Sequence, residues 1–135
     1  MAGARDPAAW TRTQLPHAPT SARAARRFIE ATLHGWRLDT LIEVVVLLAG
    51  ELVTNAITHT PATTAGIGLI VVRGEDAVRV EVYDRSRELP EQRGRGAWDG
   101  EAGRGLGLVA TQATRWGVRT DEHGHGKTVW FEVHT

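Results

Sequence analysis

The feature that most constrains the fold of this chain is one long apolar segment. The sequence LIEVVVLLAGELVTNAI has strong helical propensity, and apolar residues cover nearly every side of the helix that it would form. The segment therefore predicts a helix over residues 41–58 that is buried on most sides. Pro61 ends this helix, because proline cannot continue an α-helix.

Three polar residues, Glu51, Asn55 and His59, interrupt the apolar segment at a spacing of four. This spacing places them on one face of the helix, and polar groups in an apolar setting need a reason. The amide oxygen of Asn55 suits a Mg²⁺ ion that keeps its waters and the phosphates of a substrate. The carboxylate of Glu51 can act as a general base. The alternative is a polar stripe that faces solvent, and the spacing alone does not separate the two.

The remaining pattern predicts five strands and two further helices. Their predicted bounds, in chain order, are a strand at 9–15, a helix at 22–34, strands at 66–73 and 77–84, a helix at 106–115, and strands at 116–120 and 127–133. Residues 1–8 are predicted to be a flexible tail, and residues 9–135 one domain. The order of the elements predicts an α+β fold, a two-layer sandwich in which a largely antiparallel mixed sheet carries helices on one face.

The composition narrows the choice of partners. Sixteen basic residues balance sixteen acidic ones, so nothing favours direct nucleic-acid or membrane binding. The chain has no cysteine, which excludes disulfides and thiolate chemistry. The N-terminal residues have no apolar core, and the run Val44–Ala49 is too short to cross a bilayer. We therefore expect a soluble, cytoplasmic protein.

Alternating glycines mark a second candidate site. Gly103, Gly105 and Gly107 surround Arg104 and Leu106, and a predicted helix follows them. Such glycines let main-chain amides approach a polyanion, and the N-terminus of a helix favours phosphate. The pattern is not a dinucleotide-binding fingerprint, because no strand precedes it. A flexible loop is the alternative in a chain with 15 glycines.

Asp84 ends a predicted strand and begins a long irregular segment, residues 85–104. A carboxylate at that position can accept a hydrogen bond from the exocyclic amine of adenine, although strand-end aspartates are also ordinary turn residues. The segment is charged and rich in glycine, and loops of this length seldom lack a purpose. Its mixture of both charges is typical of a solvated lid.

Two other motifs near the C-terminus do not predict sites. Gly126-Lys127-Thr128 is not a phosphate-binding P-loop, because Asp121 stands where the motif needs glycine and a strand follows. His123 and His125 lie at a hairpin tip without a third ligand at a suitable spacing, which disfavours a structural metal site.

In their order along the chain, these pieces resemble the GHKL ATPases, which have the Bergerat fold and include gyrase and the sensor histidine kinases. The sequence ELVTNA at residues 51–56 resembles their N-box, and Asp84 falls at the aspartate of their first glycine box. The sequence GRGLGLV at 103–109 resembles the second glycine box, and GKTVW at 126–130 resembles the final strand. The resemblance covers roughly residues 10–134 and is greatest to the anti-sigma-factor serine/threonine kinases.

The resemblance implies an ATP site with Mg²⁺. Asn55 would coordinate the metal ion, Glu51 would be the catalytic base, and Asp84 would bind the adenine amine. Thr128 would support Asp84, and residues 85–102 would form the ATP lid. The implied nucleotide-binding residues are Asn55, Asp84, Gly103, Arg104, Gly105, Leu106, Gly107 and Thr128. One departure is that residues 85–90 lack the glycines that follow the aspartate in the family, from which we expect a lower affinity for ATP.

The resemblance also implies partners. Anti-sigma-factor kinases phosphorylate a serine on an antagonist protein, bind a sigma factor, and usually form homodimers. Three hypotheses therefore stay open: a protein kinase of this type, a non-catalytic module in which ATP gates a protein interface, and a scaffold that binds protein but no nucleotide.

Overall fold

The computed structural model describes residues 9–59, 66–85, 104–120 and 126–135. The described strands are β1 (Ala9–Leu15), β2 (Ile67–Arg73), β3 (Ala77–Asp84), β4 (Arg115–Thr120) and β5 (Lys127–His134). The described helices are α1 (Ser21–Gly35), α2 (Ile42–His59) and α3 (Arg104–Gln112), and a short 3-10 turn, Asp39–Leu41, precedes α2.

The five strands form one sheet in the order β1-β2-β3-β5-β4, and each described pairing is antiparallel. The connection between β2 and β3 is a tight turn, in which the amide of Gly74 donates to the carbonyl of Ala77 at 2.8 Å. The predicted α+β class and the predicted order of elements are confirmed. The last strand in sequence, β5, lies beside β3 and runs antiparallel to it, so the end of β3 meets the start of β5.

The core lies between the sheet and the helices. Successive side chains of a strand point to opposite faces, and in β3 the inward positions Val78, Val80 and Val82 are buried. Phe131 on β5 is fully buried beside them. Helix α1 contributes Ala25, Ile29 and Leu33, and α2 contributes Val45, Leu48, Ala49, Leu52, Val53 and Ala56.

Helix α2 is buried on one side rather than on most sides, which corrects the prediction from its apolar sequence. It packs against α1, β3 and α3, whereas Leu47 on another face is 42% exposed. By length and composition alone the segment Asp39–Thr58 could cross a membrane, contrary to the expectation from the shorter run. Core helices of folded domains have the same property, and the packing of α2 identifies it as one.

Helix α1 ends at Gly35, one residue beyond its predicted bound. The amide of Leu38 donates to the carbonyl of Leu33 at 2.9 Å, and the amide of Arg37 donates to that of His34 at 3.0 Å. This pair of bonds is a Schellman motif, which needs a residue in the left-handed conformation. Arg37 occupies that position with φ 63°, and Gly35 is the last residue of the helix.

A network of charges covers the outer face of the sheet, away from the helices. Arg79 donates to Glu81 at 2.7 Å and to Glu132 at 3.0 Å, and Arg115 donates to Glu132 at 2.8 Å. The guanidinium of Arg79 also lies 4.0 Å from the centre of the Trp130 ring. Burial raises the pKa of Glu132, but the hydrogen bonds from Arg115 and Arg79 outweigh it and leave that pKa below its ordinary value. The network ties β3, β5 and β4 together.

Candidate functional site

The most unusual polar feature of the fold is a buried ion pair between Asp84 and Lys127. Asp84 is the last residue of β3, and the register of the sheet pairs it with Lys127, the first residue of β5. The ammonium of Lys127 donates to both carboxylate oxygens of Asp84, at 3.0 and 3.1 Å. The side chains of Asp84 and Lys127 are 3% and 9% exposed, respectively. The pair therefore closes one end of the core with charge instead of apolar side chains.

The structure brings Lys127, rather than Thr128, beside Asp84. Thr128 pairs with Tyr83, and because side chains alternate along a strand, it points to the opposite face of the sheet from Asp84. The register therefore gives the direct contact with Asp84 to Lys127, and the supporting role that the resemblance implies for Thr128 stays a prediction. Lys127 is the residue that sequence reasoning missed. Counting the buried positions of β5 backwards from Phe131 in steps of two would have found it.

The backbone at the start of β5 lies close to the end of β3. A Cβ atom at Gly126 would lie 2.5 Å from the hydroxyl of Tyr83 and 2.6 Å from the main-chain oxygen of Asp84. Both distances are too short for any side chain, so only glycine fits at this position. The glycine thus allows Lys127 to approach Asp84.

Asn55 lies on α2, and its amide nitrogen is buried without a hydrogen-bond partner among the described residues. A buried donor without a partner costs about 1–3 kcal/mol, so a polar group at this point calls for a ligand. Glu51, one turn earlier, is half-buried and lines an open groove of about 1180 Å³ between α1 and α2, together with Glu43 and Thr54. Asn55 is not among the described residues that line this groove. Glu51 therefore faces the groove, whereas Asn55 does not.

Helix α3 begins at Arg104, two residues before the predicted start, so Gly105, Leu106 and Gly107 belong to its first turns. The first amides of a helix have no partner within it and point out of its N-terminus, where the helix dipole favours negative charge. A Cβ atom at Gly107 would meet nothing within 4 Å, so internal packing does not require glycine there. The glycines therefore lie at a helix N-terminus rather than in a loop.

The chain connects Asn55 and helix α3 to the sheet through a few contacts. Asn55 lies near the C-terminal end of α2, and the chain then enters β2, whose first residues pair with the last residues of β3. Helix α3 packs against α2 and leads to Thr114, whose amide bonds Glu132 near the opposite end of β5. The C-terminal end of α3 therefore lies near the end of β5 that is opposite to Lys127.

Several predicted positions lie outside the described residues. These are the tail at 1–8, the lid residues from 86 to 102, Gly103, and His123 and His125. The side chains of His59, Arg104 and Leu106 also lie outside the described part of the chain.

Comparison with known proteins gives a family match over most of the chain. The family model described as "Histidine kinase-like ATPase domain" matches residues 15–133. A search of curated proteins found no match.

One solved structure with a similar fold contains the RsbU and RsbW domains of Rv1364c from Mycobacterium tuberculosis. Its superposition has a TM-score of 0.71 at 19% sequence identity and covers 93% of this chain. This chain spans 32% of the length of that one. At this level of identity the likeness supports the shared fold alone.

Proposed function

This chain belongs to the histidine kinase-like ATPase family, whose model matches residues 15–133, and from this membership we propose that it is a Mg-ATP-binding regulatory protein of the anti-sigma-factor serine/threonine kinase type. The observation that carries the proposal is the buried, unpartnered amide of Asn55. It lies on the helix that contacts the glycine-bearing helix α3. Nucleotide phosphates bound between these two helices would give that amide a partner.

The proposed nucleotide is held at two points. The carboxylate of Asp84, buried at the end of β3, would accept a hydrogen bond from the adenine amine. The first amides of α3, at Arg104, Gly105 and Leu106, would bind the phosphates, as helix N-termini do. Gly103 and the lid residues would complete the phosphate site, as the resemblance to the family implies.

A magnesium ion fits the donor set at Asn55. Rotation of the Asn55 side-chain amide by half a turn exchanges the positions of its oxygen and its nitrogen. The amide oxygen can then bind Mg²⁺, which takes one or two protein oxygens together with waters and phosphates. Asn55 would therefore hold the ion that arrives with the nucleotide. Mg²⁺ supplies charge neutralisation on the phosphates when bound.

The proposed reaction is phosphoryl transfer from ATP to a serine hydroxyl. Glu51 would take the proton from that hydroxyl, the oxygen would form a bond to the γ-phosphorus, and the bond to the β-phosphate oxygen would break to release ADP. The open groove beside Glu51 gives a protein substrate access to this carboxylate. The substrate would be an anti-sigma-factor antagonist protein, and a sigma factor would be the second partner, with a homodimer as the assembly.

Calorimetry with Mg-ATP tests the nucleotide site. We expect heat of binding for the unmodified chain and a loss of affinity of at least about tenfold in Asn55→Ala and Asp84→Asn, since each change removes a hydrogen bond from a charged ligand or residue. Thr54→Ala is the matched control on α2, because Thr54 is exposed and has no role in the site. Absence of heat at millimolar Mg-ATP would refute the proposal.

A second candidate is a non-catalytic module in which ATP gates a protein interface. It is favoured by one observation: Glu51 opens toward a groove that Asn55 does not share. Phosphotransfer to an antagonist protein from γ-labelled ATP separates the two functions. For a kinase, Glu51→Gln removes transfer and keeps ATP binding, whereas Glu43→Gln, another groove carboxylate on α2, keeps both. No transfer by the unmodified chain, with ATP binding intact, would select the module.

A further inference from the structure

The basic residues of this chain are distributed in an unusual way. Of its sixteen lysines and arginines, Lys127 is the only lysine. The ammonium of this lysine is buried, and it lies 3.0 and 3.1 Å from the two carboxylate oxygens of Asp84. Burying an ammonium costs several kcal/mol before pairing, and an apolar residue at this inward position would continue the core. The position therefore demands an explanation in terms of what a lysine can do.

The hydrogen-bond inventory of the pair leaves room for a ligand. An ammonium has three N–H donors, and both oxygens that accept from Lys127 belong to Asp84, at 3.0 and 3.1 Å. Among the described residues Lys127 has no other hydrogen-bond partner. A carboxylate has about four acceptor sites, so Asp84, which has a further interaction besides Lys127, keeps acceptor capacity for a ligand. The pair thus presents an acceptor and a donor side by side.

Adenine carries the complementary pattern on one edge. Its 6-amino group is a donor, and the neighbouring N1 atom is an acceptor. We infer that Lys127 is a specificity-determining residue of the nucleotide site, in which its ammonium, held by Asp84, donates to N1 of adenine while Asp84 accepts from the 6-amino group. This inference rests on the proposed function, because it takes the base to lie at Asp84.

The arrangement would also reject guanine in the same orientation. Guanine has an oxygen where adenine has its amino group, and it has an N–H where adenine has N1. The oxygen would face the carboxylate and the N–H would face the ammonium. An acceptor would then face an acceptor, and a donor would face a donor, in a buried site. Sites that hydrogen-bond their ligand strongly reject an analogue whose donors and acceptors do not match.

The test compares ATP with 1-deaza-ATP, in which a C–H group replaces N1. In calorimetry we expect the unmodified chain to bind the analogue about 10- to 100-fold more weakly, as for the loss of one hydrogen bond to a charged group. In Lys127→Met the ratio of the two affinities should fall to about one, because the donor is gone. Arg12→Met, at an exposed position of the edge strand β1, should keep the ratio of the unmodified chain.

A measurement without substitution covers the case in which Lys127→Met does not fold. Because the chain has one lysine, labelling with ¹⁵N-lysine gives a single side-chain Nζ resonance. We expect saturating ATP to shift this resonance and saturating 1-deaza-ATP, which carries the same phosphates, to leave it near its position in the free protein.

The outcomes separate the two proposals. If ATP does not bind the unmodified chain, the proposed function is overturned and this inference with it. If ATP binds and is weakened by Asp84→Asn, but 1-deaza-ATP binds equally well, the role of Lys127 alone is overturned. An affinity ratio that stays unchanged in Lys127→Met, or an Nζ resonance that shifts equally with both nucleotides, overturns it too.

Discussion

Loss of one partner of the Asp84–Lys127 pair should have a large effect on stability. Lys127→Met keeps the length of the side chain and leaves the carboxylate of Asp84, 3% exposed, without its counter-charge. Removing one partner of a buried ion pair costs about 3–5 kcal/mol. Domains of this size have roughly 5–15 kcal/mol of stability, so we expect a melting temperature lower by about 10–20 °C.

The cost should depend on Asp84, which a double-mutant cycle measures. In an Asp84→Leu background the carboxylate is absent, and Lys127→Met should then be neutral or stabilising, because an apolar pair often replaces a buried ion pair without loss. Urea unfolding followed by far-ultraviolet circular dichroism gives the four free energies. Arg26→Met is the control, since the pair of Arg26 with Glu30 is exposed and 3.5 Å apart and should contribute about 0–1 kcal/mol. A cost below about 1 kcal/mol, or an equal cost in both backgrounds, would refute the reasoning.

Three further predictions concern other parts of the molecule. Asn55→Ala should raise the unfolding free energy of the nucleotide-free protein by about 1 kcal/mol, because it removes a buried donor without a partner; a loss of stability in urea unfolding would contradict this. Arg37→Gly should stabilise the fold by about 0.5–1 kcal/mol, since φ is 63° at Arg37 and glycine adopts that conformation without strain. Gly35→Ala should stabilise it by about 0.5 kcal/mol, because the added Cβ atom meets open space. Melting curves in which either change destabilises the fold would contradict the description of this helix end. The pKa of Glu132 is lower in the folded protein than its ordinary value of 4.5, so its contribution to stability is complete above pH 4.5 and is lost as the pH falls through the folded pKa. Glu132→Gln should therefore flatten the acid side of the stability profile measured by urea unfolding from pH 6 to 2.5 (roughly the range in which such carboxylates titrate), and an unchanged slope would contradict the role given to the network with Arg79.

Periodicity predicted the elements of this fold well, because it reports which faces are buried. The spacing of Ala25, Ile29 and Leu33 predicts helix α1, and the alternation of Val78, Val80 and Val82 predicts strand β3; both are confirmed. Periodicity did not predict how much of α2 is buried. Among the described side chains of α2, three of the four exposed ones are polar, namely Glu43, Thr54 and Thr58, but the apolar residues around Leu47 made this stripe hard to recognise in the sequence.

The candidate site was less predictable, since it depends on register and on helix ends. The motif that contains Thr128 identified the correct strand, but one residue of register decides which side chain lies beside Asp84, and that residue is Lys127. Gly105 and Gly107 gave no sign of where α3 starts, because glycine adopts helical and loop conformations alike. In the structure the helix begins at Arg104. The predicted roles of Glu51 and Asn55 stay predictions.

Two buried polar features differ from the rest of the described core. The face of α1, the inward face of β3 and Phe131 bury apolar side chains completely, and the network around Glu132 secures the outer face of the sheet. The ion pair of Asp84 with Lys127 lies instead where β3 ends and β5 begins, and the orphan amide of Asn55 lies in the last turns of α2, a helix that contacts β3. A polar group that serves only stability would be replaced at little loss by an apolar one. Both features cost stability that an apolar core would not cost, which is what the proposed nucleotide-binding role predicts for them.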